Sequence, residues 1–176
     1  MTDEAKITNT QHPSTTPART AVSISGPLSG QGDVCELVLR ALPQWFGMEI
    51  GVLKYIRKAG ELPSFVAYCG GEAVGIALVE RHFERSAELS LIGVLPARHR
   101  MGVGRALLAT IEPWLGDQGV QFLQVKTLSA RSADANYART RAFYVGMGFV
   151  PLEEFPTLWN EQNPCLMLIK ACARVG

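Results

Sequence analysis

The 176-residue chain has almost no net charge and no long apolar run. Its 17 Lys and Arg residues against 16 Asp and Glu residues leave a net charge of +1, which does not indicate a nucleic-acid-binding or membrane-surface polycation. No apolar stretch approaches the roughly 18 residues of a membrane span, and no basic region followed by an apolar region marks a secretory signal. We therefore expect neither a nucleic-acid partner nor a membrane partner.

Clustered cysteines are also lacking. The four cysteines are widely spaced, and none forms a CxxC pair or a Cys/His pair with zinc-finger spacing. They are Cys35, Cys69, Cys165 and Cys172. We expect buried or free thiols in a reducing cytoplasm, and no metal site.

Only one part of the chain, its amino-terminal end, has few apolar residues. Residues 1–19 are polar and rich in Thr, Ser and Pro, which predicts a disordered tail. Residues 20–176 have ordinary globular composition and predict one domain, long enough to bury roughly two-thirds of its unfolded surface.

The apolar periodicity predicts seven strands and four helices. The predicted strands are 20–25, 64–69, 72–80, 87–94, 120–126, 149–152 and 165–171. The predicted helices are 33–42, 48–59, 102 to 116 or 119, and 135–147, with a loop over 156–164. Three successive strands with short turns, the first of them a hairpin turn at Gly70-Gly71-Glu72, indicate an antiparallel meander. The strand–helix–strand over 87–126 indicates a parallel crossover. This order predicts a mixed α/β or α+β fold with a mostly antiparallel central sheet.

Several residues carry finer structural predictions. Asp33 and Asp134 are suited to cap helix amino termini, and Gly60 is suited to end the second helix. Pro113 should kink or fray the last turn of its helix. Alternation along 87–94 puts Leu89 and Leu91 on one face of the strand, opposite Glu88 and Ser90.

A glycine-containing turn joins the predicted strand 87–94 to the following helix. It holds His99, Gly102 and Gly104 together with three arginines, which are Arg98, Arg100 and Arg105. Backbone N–H groups at a helix start are unpaired, and the helix dipole adds partial positive charge there. The turn therefore predicts an anion site suited to phosphate.

Three alternatives for this turn differ in the residues that they require around the glycines. A P-loop requires Lys-Ser or Lys-Thr after the glycines, which is missing here. A dinucleotide fingerprint requires a third glycine, where this chain has Leu107. A tight strand-to-helix turn without a ligand remains open.

Two motifs make residues 20–172 resemble the GNAT superfamily of acyl-CoA-dependent N-acyltransferases. The segment 91–105, LIGVLPARHRMGVGR, looks like the family's pyrophosphate loop, [Q/R]xxGx[G/A], with His99 at the first position. The segment 142–149, AFYVGMGF, looks like the family's FYxxxGF signature. About 40 residues and one predicted strand separate the two motifs, as in the family. The resemblance implies a single GNAT-like domain, with the sheet splayed between its fourth and fifth strands and about four flanking helices.

The resemblance also implies how acetyl-CoA binds as co-substrate, without a metal. Backbone groups of Ile92, Gly93 and Val94 would pair with the pantetheine arm like an added strand. The pyrophosphate loop would contribute His99, Arg100, Met101, Gly102, Val103, Gly104 and Arg105. Tyr137 stands where many relatives have Asn, beside Asn136, and would face the cofactor together with Tyr144.

Transfer to an amine requires a base for the amine proton, a donor for the developing oxyanion and a proton for the departing thiolate. Tyr144 matches the family's tyrosine and is our candidate for the last role. On its helix face lie Tyr137, Thr140 and Met147. Packing alone is the alternative for Tyr144.

Glu88, on the strand before the pantetheine segment, is our candidate base; a solvated strand residue is its alternative. Other candidates are Glu80, His82, Glu84 and an ordered water. Some relatives carry the base on the next strand, where this chain has Gln124. Lys126 is interpreted as a solvated or phosphate-side cation.

Two apolar segments, 45–47 and 155–163, would flank the acceptor site or pack against the sheet ends. No cysteine lies in either motif, so direct transfer in a ternary complex is expected rather than an acyl-enzyme. We expect an N-acetyltransferase with a small-molecule or protein amine acceptor, and a homodimer stays open. Two other hypotheses are a non-catalytic acyl-CoA-binding or sensory module and a nucleotide-binding protein.

Overall fold

The structure is a computed structural model that describes residues 21–172. The predicted tail lies outside the described residues. The elements, in chain order, are β1 (Val22–Leu28), α1 (Gly32–Arg40), α2 (Glu49–Glu61), β2 (Ser64–Cys69), β3 (Glu72–Phe83), β4 (Ser86–Val94), α3 (Val103–Asp117), β5 (Phe122–Leu128), α4 (Ala135–Gly146), β6 (Val150–Asn160) and β7 (Asn163–Ala171). The predicted order of strands and helices is confirmed.

The strands form one seven-stranded sheet in the order β1-β2-β3-β4-β5-β7-β6. Every neighbouring pair is antiparallel except β4 and β5, which are parallel as the crossover predicted. Pairing between β4 and β5 starts at Ser86 and ends where Glu88 meets Gln124, although both strands continue. The sheet is therefore splayed beyond Glu88, and we call this opening the gap.

Two apolar clusters cover the two faces of the sheet. One contains the buried stripe of α3, including Leu107 and Ile111, together with Tyr144 of α4. The other contains Val38 and Leu39 of α1 together with α2. Each fully buried Leu or Ile contributes roughly 1.5–3 kcal/mol relative to an exposed one, so both faces stabilise the sheet.

A bulge in β4 overturns one predicted face. Leu89 pairs with Val79 but Leu91 pairs with Leu78, so one extra residue, Ser90, lies in β4. The bulge reverses the side-chain alternation. Leu89 consequently packs in the α3 cluster and Leu91 in the α1–α2 cluster, instead of sharing a face.

The start of α1 also differs from the prediction. The helix begins at Gly32 after Gln31, and Asp33 lies in its first turn without capping it. The N–H of Gln31 donates to the carbonyl of Ala59 in α2 at 2.9 Å. A contact between helices therefore fixes this start, which a local capping pattern cannot show.

Gly60 does not end α2 as predicted. The helix continues to Glu61, and Leu62 in extended conformation follows it. Left-handed backbone, the property that favours glycine at a helix end, is not found at Gly60.

The predicted loop 156–164 is wrong. Strand β6 runs to Asn160 and turns directly into β7, although Pro151 and Pro156 lie within it. Because β6 is an edge strand, a proline that lacks an N–H leaves no neighbouring strand unpaired on its outer side.

Other local predictions are confirmed. Strand β2 has the predicted bounds, and Gly70 and Gly71, both at positive φ, make the hairpin turn. The Asp134 carboxylate accepts hydrogen bonds from the N–H groups of Asn136 and Tyr137 at the start of α4.

The predicted disturbance at Pro113 does not stop α3, which continues to Asp117. Cys35, Cys165 and Cys172 are free thiols, and all four cysteines are buried. Within residues 21–172, no helix is long and apolar enough to cross a membrane.

Candidate functional site

The segment between β4 and α3 exposes its backbone. A 3-10 turn at Pro96–Arg98 follows β4, and then Arg100 and Gly102 take left-handed backbone with φ of 62° and 84°. Gly102 adopts this conformation without penalty, and no atom lies within 4 Å of where its Cβ would be. Arg100 adopts it despite its side chain, and strain of this kind is common at ligand-binding loops.

The first turn of α3 has N–H groups without acceptors. No side chain of the described residues caps this end, and the first bond that closes the helix runs from Ala106 N to Gly102 O at 2.9 Å. The N–H groups of Val103, Gly104 and Arg105 precede that bond. Together with the helix dipole, they suit a phosphate group, which is the anion that the turn predicts, and the pyrophosphate that the resemblance implies.

Charge around the turn is uncompensated. Within the described part of the chain, none of the three arginines of the turn forms an ion pair. Arg100 and Arg105 are exposed, as is the Met101 side chain between them. A bound anion would be the natural counter-charge here.

Gly104 lets α3 and α4 approach each other. A Cβ at Gly104 would lie 3.0 Å from the ring of Phe143, the residue before Tyr144. The two motifs that the sequence singled out therefore meet in the structure.

His99, at the head of the turn, binds the chain itself. Its Nε2–H donates to the carbonyl oxygen of Val94, the last residue of β4, at 2.7 Å. Its ring also meets the edge of Trp45, with 6.0 Å between the ring centroids. His99 thus already has two partners where the family resemblance implied a cofactor contact.

The edge of β4 that carries Ile92, Gly93 and Val94 faces the gap. Among the described residues, no strand pairs with these three residues on the β5 side. Glycine is required at 93 because a Cβ there would lie 2.9 Å from Val38 of α1. The arrangement leaves a backbone edge to which an extended ligand could add.

Tyr144 is buried, with 5% of its surface exposed. Its ring contacts Phe143 and Phe149, at centroid distances of 5.4 and 5.7 Å. Its hydroxyl has no hydrogen-bond partner among the described residues. Burial, and then the neighbouring hydroxyls of Tyr55 and Tyr137, raise the pKa of Tyr144, so the phenol keeps its proton at neutral pH.

Tyr137 connects α4 to the segment between α1 and α2. Its hydroxyl donates to the carbonyl oxygen of Trp45 at 3.1 Å. The Trp45 indole N–H in turn donates to Thr140 Oγ1 at 3.0 Å. The predicted face of Tyr137, Thr140 and Tyr144 therefore exists, and Trp45 covers part of it.

Glu88 lies at the apex of the gap and is held by three side chains. His82 Nε2 lies 2.8 Å from Glu88 Oε2, Gln124 Nε2 donates to the same oxygen at 2.9 Å, and Lys126 also bonds to it. Burial alone would raise the pKa of Glu88, but the bonds from Lys126, His82 and Gln124 outweigh it and lower that pKa. The carboxylate is thus ionised at neutral pH, with Oε1 free of hydrogen bonds from the described residues.

Of the other base candidates, one bonds to Glu88 and two do not. His82 joins Glu88 directly, whereas Glu80 pairs with Lys58 of α2 and is the cross-strand neighbour of Glu88. Glu84 lies exposed on the turn between β3 and β4. Lys126 is an ion-pair partner of Glu88 rather than a solvated cation, because its position on β5 faces the same side.

Two polar side chains near the gap escaped the sequence analysis. Tyr55 of α2 packs edge-on against Phe46, and burial, followed by the charge of Glu88, raises its pKa to about 12. Thr127 Oγ1 is buried and has no hydrogen-bond partner among residues 21–172; it lies three residues beyond the last pair of β5 with β4. Neither residue lies in a motif, so only the folded sheet could reveal them.

The two predicted acceptor-flanking segments behave differently. Trp45 and Phe46 are half-buried and make the contacts described above. Phe155 is half-buried in β6, while Trp159 keeps 47% of its surface exposed. Among residues 21–172, no group of three or more His, Cys, Asp or Glu residues could hold a metal ion.

Comparison with models of protein families shows the family to which the chain belongs. The model of the acetyltransferase (GNAT) domain matches residues 61–151, which include the gap, the turn and Tyr144. The chain belongs to the GNAT family. GNAT proteins use acetyl-CoA, and the free α3 amides beside an open β4 edge fit that cofactor.

Solved GNAT structures share the fold. A GNAT-family protein from Desulfovibrio desulfuricans superposes with a TM-score of 0.76 at 20% identity, covering 87% of this chain and 100% of its own. The ribosomal-protein-S18-alanine N-acetyltransferase from Escherichia coli gives 0.68 at 20% identity, covering 89% and 97%. A GNAT acetyltransferase from Elizabethkingia anophelis with acetyl-CoA bound gives 0.65 at 15% identity, covering 85% and 97%. No curated protein sequence matches the chain.

Proposed function

We propose that this GNAT protein is an acetyl-CoA-dependent N-acetyltransferase that acetylates a primary amine by direct transfer in a ternary complex. One juxtaposition carries the proposal. A helix start with free amides and unpaired arginines adjoins a gap in the sheet, and the unpartnered hydroxyl of Tyr144 belongs to the cluster beneath that gap. A co-substrate in which a long arm joins a diphosphate to a reactive thioester needs an anion site, a groove for the arm and an acid, in this order.

Binding of the co-substrate would use mainly backbone groups. The amides from Arg100 to Arg105 would hold the pyrophosphate, and the β4 edge at Ile92–Val94 would hold the arm. Tyr137 would line the α4 side. When bound, acetyl-CoA supplies the activated acetyl thioester.

Tyr144 would act as the acid. Its raised pKa keeps the hydroxyl protonated at neutral pH, and no acceptor in the described residues competes for that proton. As the C–S bond breaks and the C–N bond forms, the sulfur needs one proton, which Tyr144 would donate.

Glu88 would act as the base. Its Oε2 is fixed by three donors, which leaves Oε1 to accept the proton that the amine nitrogen loses. One proton leaves the amine and one reaches the sulfur, so the products are the amide and the free thiol, and exchange with solvent restores both side chains.

The acceptor would approach from the side of the α1–α2 segment and β6. It is a small-molecule or protein amine; the Escherichia coli structure belongs to an enzyme named for a protein alanine. A cytoplasmic location would suit Cys35, Cys165 and Cys172, which are free thiols.

A thiol-release assay with acetyl-CoA and a panel of primary amines tests the proposal. The panel should contain amino acids, polyamines, aminoglycosides and peptides with a free amino terminus. We expect turnover with at least one class, and a loss of roughly 100-fold in kcat for Tyr144→Phe with CoA affinity nearly unchanged. Unchanged turnover in Tyr144→Phe would exclude the phenol as the acid.

One observation favours a second candidate, a non-catalytic acyl-CoA-binding or sensory module. The lowered pKa of Glu88 makes its carboxylate a weaker base than a free one. Calorimetric titration separates the two candidates. Tight CoA binding without thiol release for any amine would establish the module and reject the enzyme.

A further inference from the structure

His99 occupies a backbone acceptor that the proposed arm needs. In the structure, the Val94 carbonyl receives its hydrogen bond from His99 Nε2 at 2.7 Å and not from a strand. Val94 ends β4, on the edge that has no neighbour on the β5 side. A backbone carbonyl oxygen has two lone pairs, so the histidine and an added strand-like ligand compete for Val94 only if both approach it from the same side, which is the open β5 side of the edge.

Trp45 bridges the open end of the same gap. On the β4 side, its ring meets His99 edge-on at 6.0 Å. On the β5 side, its indole N–H and its carbonyl bond to Thr140 and Tyr137 of α4. Helix α4 is tied to the end of β5, because Arg141 Nη1 donates to the Leu128 carbonyl at 2.8 Å.

On the β4 side, the bridge that Trp45 forms consists of its ring contact with His99. Trp45 belongs to the connection between α1 and α2, which has no helix or strand between Arg40 and Glu49. Its side chain is half-buried, and His99, its contact on the β4 side, is itself exposed. A small movement of the histidine therefore removes the ring contact without disturbing the core.

We propose that His99 holds the place of the pantetheine arm at the end of β4, and that its displacement by bound CoA removes the β4-side contact of Trp45 and lets the Trp45 ring move at the acceptor side, while its bonds to α4 remain. His99 and Trp45 are then positioning residues that couple the two halves of the site. The inference rests on the proposed function for the route of the arm. The sequence predicts that His99 contacts the cofactor, which would strengthen CoA binding. The present inference has the opposite effect on CoA affinity, because a competitor for Val94 weakens binding.

The coupling follows from a difference in bonding between the two states. Without CoA, His99 bonds to Val94 and packs on Trp45; with CoA, the arm bonds to Val94 and the histidine is free. CoA shifts this equilibrium only because it binds the state in which His99 has left. Removing the histidine in advance removes that cost.

CoA alone is the probe, so the test needs no acceptor. Tryptophan emission is followed during CoA titration in the wild type and in Trp45→Phe, which leaves Trp114 and Trp159 as background. We expect a CoA-dependent change that the Trp45→Phe variant loses. In His99→Ala we expect the emission without CoA to resemble that of the CoA-bound wild type.

Calorimetry gives the second readout. The dissociation constant of CoA should fall about threefold to tenfold in His99→Ala, since one hydrogen bond no longer has to be broken. Lys54→Ala is the control, because Lys54 is exposed on α2 and makes no hydrogen bond or ion pair with the described residues. Its CoA affinity should equal that of the wild type, and circular dichroism should show both variants folded.

Each remaining outcome overturns the inference or supports it. Weaker CoA binding in His99→Ala would show that His99 contacts the cofactor, and unchanged Trp45 emission would show that its ring contact is not lost; either result overturns it. Tighter binding with the emission change, but without thiol release from any amine, would support the inference while the proposed enzyme fails. Absence of CoA binding by the wild type would overturn both.

Discussion

Tyr144 and Glu88 lie in environments that move their pKa values in opposite directions. Burial raises the pKa of Tyr144, whereas three donors outweigh burial at Glu88 and lower its pKa. At neutral pH the phenol therefore carries its proton and the carboxylate does not. Separation of two titratable groups in this way is what an acid and a base in one site require.

The Glu88 cluster should appear in the pH dependence of stability. Its folded-state pKa lies below the ordinary value of 4.5, so its stabilising contribution is fully present above pH 4.5 and is lost as the pH falls through the folded-state pKa. We expect the unfolding free energy of Glu88→Gln to fall less steeply than that of the wild type from about pH 5 down to about pH 3.

Urea unfolding at a series of pH values measures this difference. Glu84→Gln is the control, since Glu84 is exposed on a turn and forms no ion pair with the described residues. It should follow the wild type. Parallel curves for Glu88→Gln and the wild type would mean that the three donors do not stabilise the ionised carboxylate.

At the scale of elements, local patterns predicted what local chemistry decides. The Gly70–Gly71 hairpin and the Asp134 cap follow from residues adjacent in sequence, and both are confirmed. The continuation of β6 through Pro156 to Asn160 could not be predicted, because a proline is tolerated there only at a sheet edge, and the sequence does not say which strand lies at the edge. The bulge at Ser90 is likewise a property of the pairing between β3 and β4.

Two glycine-to-alanine substitutions distinguish a glycine that left-handed backbone requires, Gly102, from one that lies in ordinary helical backbone, Gly60. Gly102→Ala should destabilise the fold by roughly 1–2 kcal/mol, because alanine at its φ of 84° is strained. Gly60→Ala should stabilise it by up to about 1 kcal/mol, since Gly60 is helical and no atom lies within 4 Å of its missing Cβ.

Chemical denaturation of both variants measures these signs. Gly102→Ala should also weaken CoA binding, because Gly102 begins the turn whose amides face the anion. A destabilised Gly60→Ala would contradict the helical backbone and the open Cβ position of Gly60 and would favour the sequence prediction that Gly60 ends α2.

At the scale of the whole molecule, the gap exists because one neighbouring pair in the seven-stranded sheet, β4 with β5, stops pairing early. The resemblance carried by two motifs, each continuous in sequence, predicted a sheet splayed between the fourth and fifth strands, and that splay is confirmed. The bonds from Trp45 to Thr140 and from Tyr137 to Trp45 join residues 95 and 92 positions apart, and no local pattern indicates them. These bonds could therefore not be predicted, although the sequence does predict that 45–47 flanks the acceptor site or packs against the sheet ends.

The splayed sheet predicts where CoA should slow amide exchange. CoA at about 100 times its dissociation constant should add about 2.7 kcal/mol to the unfolding free energy. Local protection should be greatest at 100–105 and along β4 beyond Glu88, where backbone groups face the gap. The edge strand β6, on the far side of β7, should change least.

Adenosine 3′-phosphate 5′-diphosphate, which lacks the arm, is the matched ligand for this experiment. It should protect 100–105 and leave β4 unchanged, because only the arm can add to the β4 edge. Hydrogen–deuterium exchange read by mass spectrometry resolves the two segments. Equal protection of β4 by both ligands would mean that the slowing spreads from the anion site through the fold, and that the arm does not lie along Ile92–Val94.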